Sequence, residues 1–181
     1  MKLLNSQNLL IASLLGLSTL FAGSYPLVKA QSETKPGCQA TVDKVIQEIR
    51  SKGVRRAWIY RLSKGTANEG TTGNPTNRTD ELSIVLSSYN ETYTNSDTKS
   101  ENIITNIMNS TTLMKSWADK IVSSCSNTAI VLFGADQTDY VISYYIQSDG
   151  KTKLRDCVVN TKTSPSILHW GTEWGPQCGS G

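Results

Sequence analysis

The stretch SILHWGTEWGPQC, residues 166–178, holds the only histidine of the chain, His169. It also holds Trp170, Glu173, Trp174 and the last of four cysteines, Cys178. These are residue types that can do chemistry. A Cys–His nucleophile needs a free thiolate beside an imidazole, and His169 and Cys178 are nine positions apart. An exported chain with an even number of cysteines pairs them instead, which removes the thiolate. A serine triad finds no G-x-S-x-G elbow. Asp136 and Asp139 in GADQTD are two carboxylates at a turn between strands, where such residues cap the turn. There is no C-x-x-C, H-E-x-x-H, P-loop or G-x-G-x-x-G. The sequence therefore assigns no catalytic residue, metal or cofactor.

Two readings of the segment remain. In one, it is a tail fastened across a sheet, with Trp170 and Trp174 covering apolar residues such as Tyr145 and Val141. In the other, His169, Trp170, Glu173 and Trp174 form a ligand platform with Tyr145, since aromatic faces stack on sugars and cations. Gly171, Gly175 and Pro176 argue against a helix here. A second aromatic set lies in VRRAWIYRLS, where Arg55, Arg56 and Arg61 interleave with Trp58 and Tyr60. Arginine with aromatics can hold single-stranded nucleic acid, but the plainer expectation is a solvated strand face with arginine stems on the rings.

The elements that would position these residues are legible in part. Val42, Val45, Ile46 and Ile49 step by 3, 1 and 3, one face of a helix. Asp43 and Arg50 are taken as its first-turn acid and last-turn base, and Gly53 as its stop. A strand is expected over 54–63 and another at ELSIVLSS, where Leu82, Ile84 and Leu86 alternate with polar or outward residues. Between them lies a polar loop, 64–80, longer than folding needs. After a second polar stretch, TKSE (Thr98 to Glu101) is a capping-box signature. Ile104, Ile107, Thr111, Met114, Ala118, Ile121 and Cys125 then form one helical stripe. NSTT at 109–112 contains weak helix formers, so one helix or two fit equally.

Three strands close the chain, at 128–134, 139–147 and 152–160, the first continuously apolar and so central. A three-residue turn with Gly150 left-handed sets the register of the last two. It pairs Tyr144 with Leu154, Tyr140 with Val158, Tyr145 with Lys153, Ser143 with Arg155 and Val141 with Cys157. The expected fold is α+β, in the order α-β-β-α(α)-β-β-β. Five strands form a mostly antiparallel sheet with two or three helices on one face.

Sequence alone admits three disulfide connectivities. The simplest joins Cys38, at the start of the first helix, to Cys125, at the end of the helical stripe. It leaves Cys157 for Cys178, which would strap the tail to the outer face of the sheet.

The N-terminal MKLLNSQNLLIASLLGLSTLFAGSYPLVKA has a basic start, an apolar run of about 14 residues and a small residue at Ala30. That is a signal-peptide pattern, cleaved after Ala30, with a run too short to span a bilayer. Residues 31–37 are expected to be a flexible leader and 38–181 a single disulfide-stabilised domain. The full chain carries a net charge of +3. Loss of Lys2 and Lys29 with the signal leaves +1, which gives no footprint for nucleic acid. Asn77, Asn90 and Asn109 open N-x-S/T triplets, relevant only where the host glycosylates on export.

TLMKSWADKIVSSC, VLFGADQTDYVISYYIQSDGKTKLRDC and HWGTEWGPQC together resemble small, signal-bearing proteins of cyanobacterial type, over Leu113 to Cys178. The shared features are a helix ending in Cys, a TD before an aromatic strand and a WG near a final Cys. The resemblance implies an exported bacterial setting and no particular activity. The functional expectation is a secreted or periplasmic, non-catalytic module that binds an unknown protein or a glycan, with the loops at 64–80 and 89–97 as its recognition surface. The alternatives are a small hydrolase using His169 with Glu173 or Asp156, and an inhibitor of an exported enzyme.

Overall fold

The described residues open, in the computed structural model, with a helix that starts at a proline: α1, Pro36–Ser51. The structure describes residues 36–157 and 167–173. The expected signal peptide, most of the leader, Val158, Trp174 and Cys178 lie outside those residues, and with them the Tyr140–Val158 and Cys157–Cys178 pairings. Proline suits the first helical position, where its missing N–H costs nothing. Asp43 accordingly falls beyond the first turn, where Gln39 Nε2 donates to it at 2.9 Å. Val42, Val45, Ile46 and Ile49 are all buried. The helix stops at Gly53, whose φ of +101° favours glycine.

Strands β1 (Arg56–Ser63), β2 (Thr71–Thr72) and β3 (Asp80–Ser87) follow. Helices α2 (Thr98–Met108) and α3 (Thr111–Ser124) come next. The expected stripe is therefore two helices, broken at Asn109 and Ser110. Its buried face is as expected except at Thr111, which is exposed, and it gains Trp117. The cap of α2 is Asp97, one residue before the expected Thr98. Its carboxylate accepts from the Lys99 N–H at 3.0 Å.

The last six strands are β4 (Thr128–Ala135), β5 (Val141–Ile146), β6 (Thr152–Leu154), β7 (Asp156–Cys157), β8 (Leu168–His169) and β9 (Thr172–Glu173). The main sheet has the order β1-β3-β4-β5-β6, with β4 central. Three of its pairings are antiparallel. The fourth, β3 with β4, is parallel, because α2 and α3 carry the chain back to the end where β3 began. The α+β reading stands, with this one parallel pair inside the mostly antiparallel sheet.

The helices pack on the sheet face that carries Leu82, Ile84, Leu86, Val131, Phe133 and Tyr144, all buried. Phe133 is the centre, with ring centroids 6.1 Å from Trp117 and 6.2 Å from Tyr144. Burial pushes the Tyr144 phenol up to about 12, so it stays a donor, and its hydroxyl reaches the Thr111 carbonyl at 2.9 Å. The Cys38–Cys125 disulfide ties the start of α1 to the end of α3, as expected.

The turn between β5 and β6 is the three-residue form, with Gly150 at φ +78°. Tyr144 faces Leu154, Tyr145 faces Lys153, and the Arg155 N–H donates to the Ser143 carbonyl at 2.9 Å. The ladder ends there. The expected strand at 152–160 is split, and β7 leaves β5 to pair in parallel with β9, so Cys157 lies opposite Glu173 and not Val141.

One contact fixes β6 to the helices and makes stability depend on pH. Asp119 Oδ1 accepts from the Thr152 N–H at 2.6 Å and its hydroxyl at 2.7 Å. Lys115 donates to Oδ2 at 2.7 Å. Burial pushes the Asp119 carboxyl up, but these bonds outweigh it and hold the carboxyl below its ordinary value. A carboxyl lowered on folding stabilises fully above its unfolded value of about 3.9, and loses that contribution as pH falls through the folded value. The Asp119→Asn variant is therefore expected to be less stable than wild type at pH 7, with a smaller gap at pH 3, below the ordinary carboxyl value of about 3.9. Urea midpoints at both pH values check this; a gap that stays constant or widens on acidification would sink it.

Candidate binding groove

Of the tail, residues 167–173 are described, and they meet the outer sheet face at Tyr145. β8 pairs with β2 inside the 64–80 loop, and the Trp170 N–H donates to the Thr72 carbonyl at 2.7 Å. The loop is itself tied down. Arg78 reaches the carbonyls of Val122 and Cys125 at the end of α3 and of Thr128 at the start of β4, so a cation meets the negative end of a helix. Trp170 stands edge-on to Tyr145, centroids 4.9 Å apart, and its indole N–H donates to the Ile146 carbonyl at 2.8 Å. The Arg155 guanidinium lies 4.7 Å from the same Tyr145 ring. Tyr145 is consequently only 1% exposed.

Among the other proposed platform residues, His169 is exposed on β8. Glu173 takes its place on β9 opposite Cys157, and Trp174 lies outside the described residues. Asp156, the alternative partner for His169, is bound by Lys153 at 2.5 Å. The structure thus brings Trp170 and Tyr145 together, with the Tyr145 ring under cover.

The other half of that face is open. Val141, which the tail was expected to cover, is 41% exposed. It borders an open groove of about 560 Å³ lined by Trp58, Tyr60, Tyr93, Ser83, Val85 and Leu132, with Gly134 and the Asp136–Thr138 turn. That size is ordinary for a ligand site.

Each wall has a local cause. On β1, Ile59 faces Ile84 and Leu62 faces Leu82, with the register shifting between Ile59 and Arg61. Ile84 and Leu82 point to the helices, so Tyr60 and Arg61 together oppose Ser83 alone, on the outer face. This is a β-bulge, which re-aims a side chain and blunts an edge strand. Tyr60 is left 70% exposed.

Tyr93 is delivered by the 89–97 loop. The Asn90 side chain clasps that loop, accepting from the N–H of Thr94 at 2.9 Å and donating to the Thr94 hydroxyl at 2.8 Å. This holds Tyr93 at φ +57°. The Arg56 guanidinium then sits 4.8 Å from the Trp58 ring and 5.2 Å from the Tyr93 ring, and donates to the Asn90 carbonyl at 2.9 Å. Where arginine stems were expected on the strand's rings, it is the Arg56 guanidinium that meets them. Here it braces two rings into one wall.

The floor dips at Gly134, opposite Val141 and Val85. The far rim is the β4–β5 turn, where Gln137 has φ +60°. The two non-glycine residues with positive φ among the described residues, Tyr93 and Gln137, both line this groove. Strain of this kind costs about 1–3 kcal/mol per residue and gathers at ligand sites. On the same rim, Asp136 Oδ2 is enclosed and has no hydrogen-bond partner among the described residues.

The groove does not emerge from the sequence reading, although signals for it are present. Trp58 and Tyr60 alternate on one strand face, and Gly134 interrupts an otherwise apolar strand. No family model, curated protein or solved structure matches the chain. Among the described residues, no three His, Cys, Asp or Glu side chains gather as a metal site would need, and no helix is long and apolar enough to cross a membrane.

Proposed function

We propose that the chain is a non-catalytic binding module acting outside the cytoplasm, and that the groove on the outer sheet face is its ligand site. The N-terminal pattern and the Cys38–Cys125 disulfide support an exported, oxidising setting. The observation that carries the reading is Gly134. Glycine inside a strand costs roughly 0.5–1 kcal/mol against alanine. Nothing about this position demands it: a Cβ here would meet Val141 at 3.7 Å and Val85 at 3.8 Å, ordinary contact distances. What the missing side chain provides is the dip in the groove floor.

The Gly134→Ala variant is therefore expected to gain about 0.5–1 kcal/mol of stability while losing affinity. Both are measurable, by urea denaturation and by co-sedimentation of the mature protein with envelopes of the producing cells. Wild type and His169→Ala are expected on the envelopes, with Gly134→Ala and Trp58→Ala retained about tenfold less. Equal retention of all four, or none of wild type, would remove the groove as the site. Hydrolytic activity lost specifically in His169→Ala would move the reading to the hydrolase alternative.

A further inference from the structure

We propose that the ligand of this groove is a neutral, extended saccharide chain; this rests on the binding reading above and names its ligand class. Three features of the groove point there. The first is the kind of surface. Trp58, Tyr60 and Tyr93 line one open groove, and Tyr60 and Tyr93 are 70% and 44% exposed. Rings left this wet suit a partner that is apolar on one face and hydroxylated at its edges, as a pyranose is. A fully apolar ligand would favour an enclosed cavity.

The second is charge. Asp136 on the rim opposes an anionic ligand. Arg56, packed against Trp58 and Tyr93, already occupies the ring environment a cationic ligand would seek. A neutral ligand meets neither penalty. The polar groups it finds are the Asp136 carboxylate, the exposed Gln137 amide and the Ser83 hydroxyl, and carboxylates and amides bond vicinal hydroxyls well. Asp136 Oδ2 has no donor among the described residues. The carboxylate torsion is soft, so a small rotation presents that oxygen to a sugar hydroxyl.

The third is backbone. The floor is made by β3 and β4, whose main-chain groups are committed to each other and to β1 and β5. The exposed edge of β1 is interrupted by the bulge at Tyr60. An extended peptide laid here gains no main-chain pairing, the usual source of its affinity for a sheet. Recognition must come from side chains.

The test is calorimetric titration of the mature, oxidised protein with cellohexaose, chitohexaose, xylohexaose and mannohexaose, and with decaproline as the peptide probe. At least one hexasaccharide is expected to bind wild type and His169→Ala alike. Tyr60→Ala and Trp58→Ala are expected to weaken it about tenfold each, and Asp136→Asn by a smaller factor. Tyr60 is exposed on a bulge, so its truncation keeps the fold even if that of Trp58 does not. Binding that ignores Tyr60→Ala overturns the assignment of the saccharide to this groove. If no hexasaccharide binds while groove-dependent envelope retention persists, the saccharide inference falls and the binding reading stands. Groove-dependent binding of decaproline alone also overturns the saccharide inference and makes the ligand a peptide. If retention is absent as well, both readings fall together.

Discussion

Replacing Cys38 and Cys125 together by alanine is expected to lower the unfolding free energy by about 5 kcal/mol. The bond joins residues 87 positions apart, so it closes most of the described chain into one loop. In the chain-entropy treatment, the constraint it places on the unfolded state grows with the logarithm of loop length, reaching about 4.7 kcal/mol near 100 residues. It acts where the fold most needs it. α1 is the first of the described elements, yet packs on α3 and the sheet, which come later in the sequence; without the bond, these contacts must be found across a long loop. Both cysteines are largely buried, Cys125 at 3% exposure, and alanine fills less of that space, which adds to the loss. A domain is typically stable by only about 5–15 kcal/mol, so the variant is expected to be partly unfolded at 37 °C. Urea titration of the oxidised protein, of its dithiothreitol-reduced form and of the double alanine variant measures the effect. A shift of less than about 1 kcal/mol in both altered forms would show that non-covalent packing alone fixes α1.

The same bond shows which parts of this fold the sequence discloses. Cys38 and Cys125 each sit at the end of a strong 3.6-residue pattern, so their pairing follows from where two helices begin and end. The β5–β6 register is also legible, because Ser148-Asp149-Gly150 permits a turn that a slip of one residue would contradict. Elements of two residues are another matter. Thr71–Thr72, Asp156–Cys157, Leu168–His169 and Thr172–Glu173 are too short to show any period, and each pairs with a segment remote in sequence. Residues 64–80 therefore read as a free loop when they are clipped to the tail. Asp97 is hidden as the α2 cap because Thr98 with Glu101 fits a capping box equally well. The groove is harder still. Its walls come from β1, β3, β4, β5 and the 89–97 loop, and its aromatic wall depends on a bulge at Tyr60 and a left-handed Tyr93, neither of which has a sequence signature. The tail's chemistry-bearing residues stand out instead; in the fold, Trp170 serves mainly to cover Tyr145.

Trp117→Ala is expected to cost about 4 kcal/mol, in the range for deleting a fully buried aromatic. Trp117 is hidden in the helical stripe because Met114, Ala118 and Ile121 satisfy the period without it. It lies between those positions on the same face and is 1% exposed. Its ring packs against Phe133 on the central strand, while its indole N–H donates to Glu48 Oε2 on α1 at 2.9 Å. One side chain therefore joins α1, α3 and the sheet. Glu48 is also held by Lys120 at 2.8 Å, and that bond is the main reason its carboxyl lies below the ordinary range, with Trp117 adding to it against the opposing effect of burial. The two contributions separate by substitution. Trp117→Phe keeps most of the packing and removes the indole N–H, and is expected to cost about 1–2 kcal/mol. The remainder of the alanine effect is then the cavity left beside Phe133. Because the groove lies on the opposite sheet face, the phenylalanine variant is expected to retain wild-type affinity for whatever the groove binds. Urea midpoints rank the three proteins, and titration with the groove's ligand checks the second expectation. A Trp117→Phe loss equal to that of alanine would mean that the hydrogen bond to Glu48, and not the packing on Phe133, carries the effect.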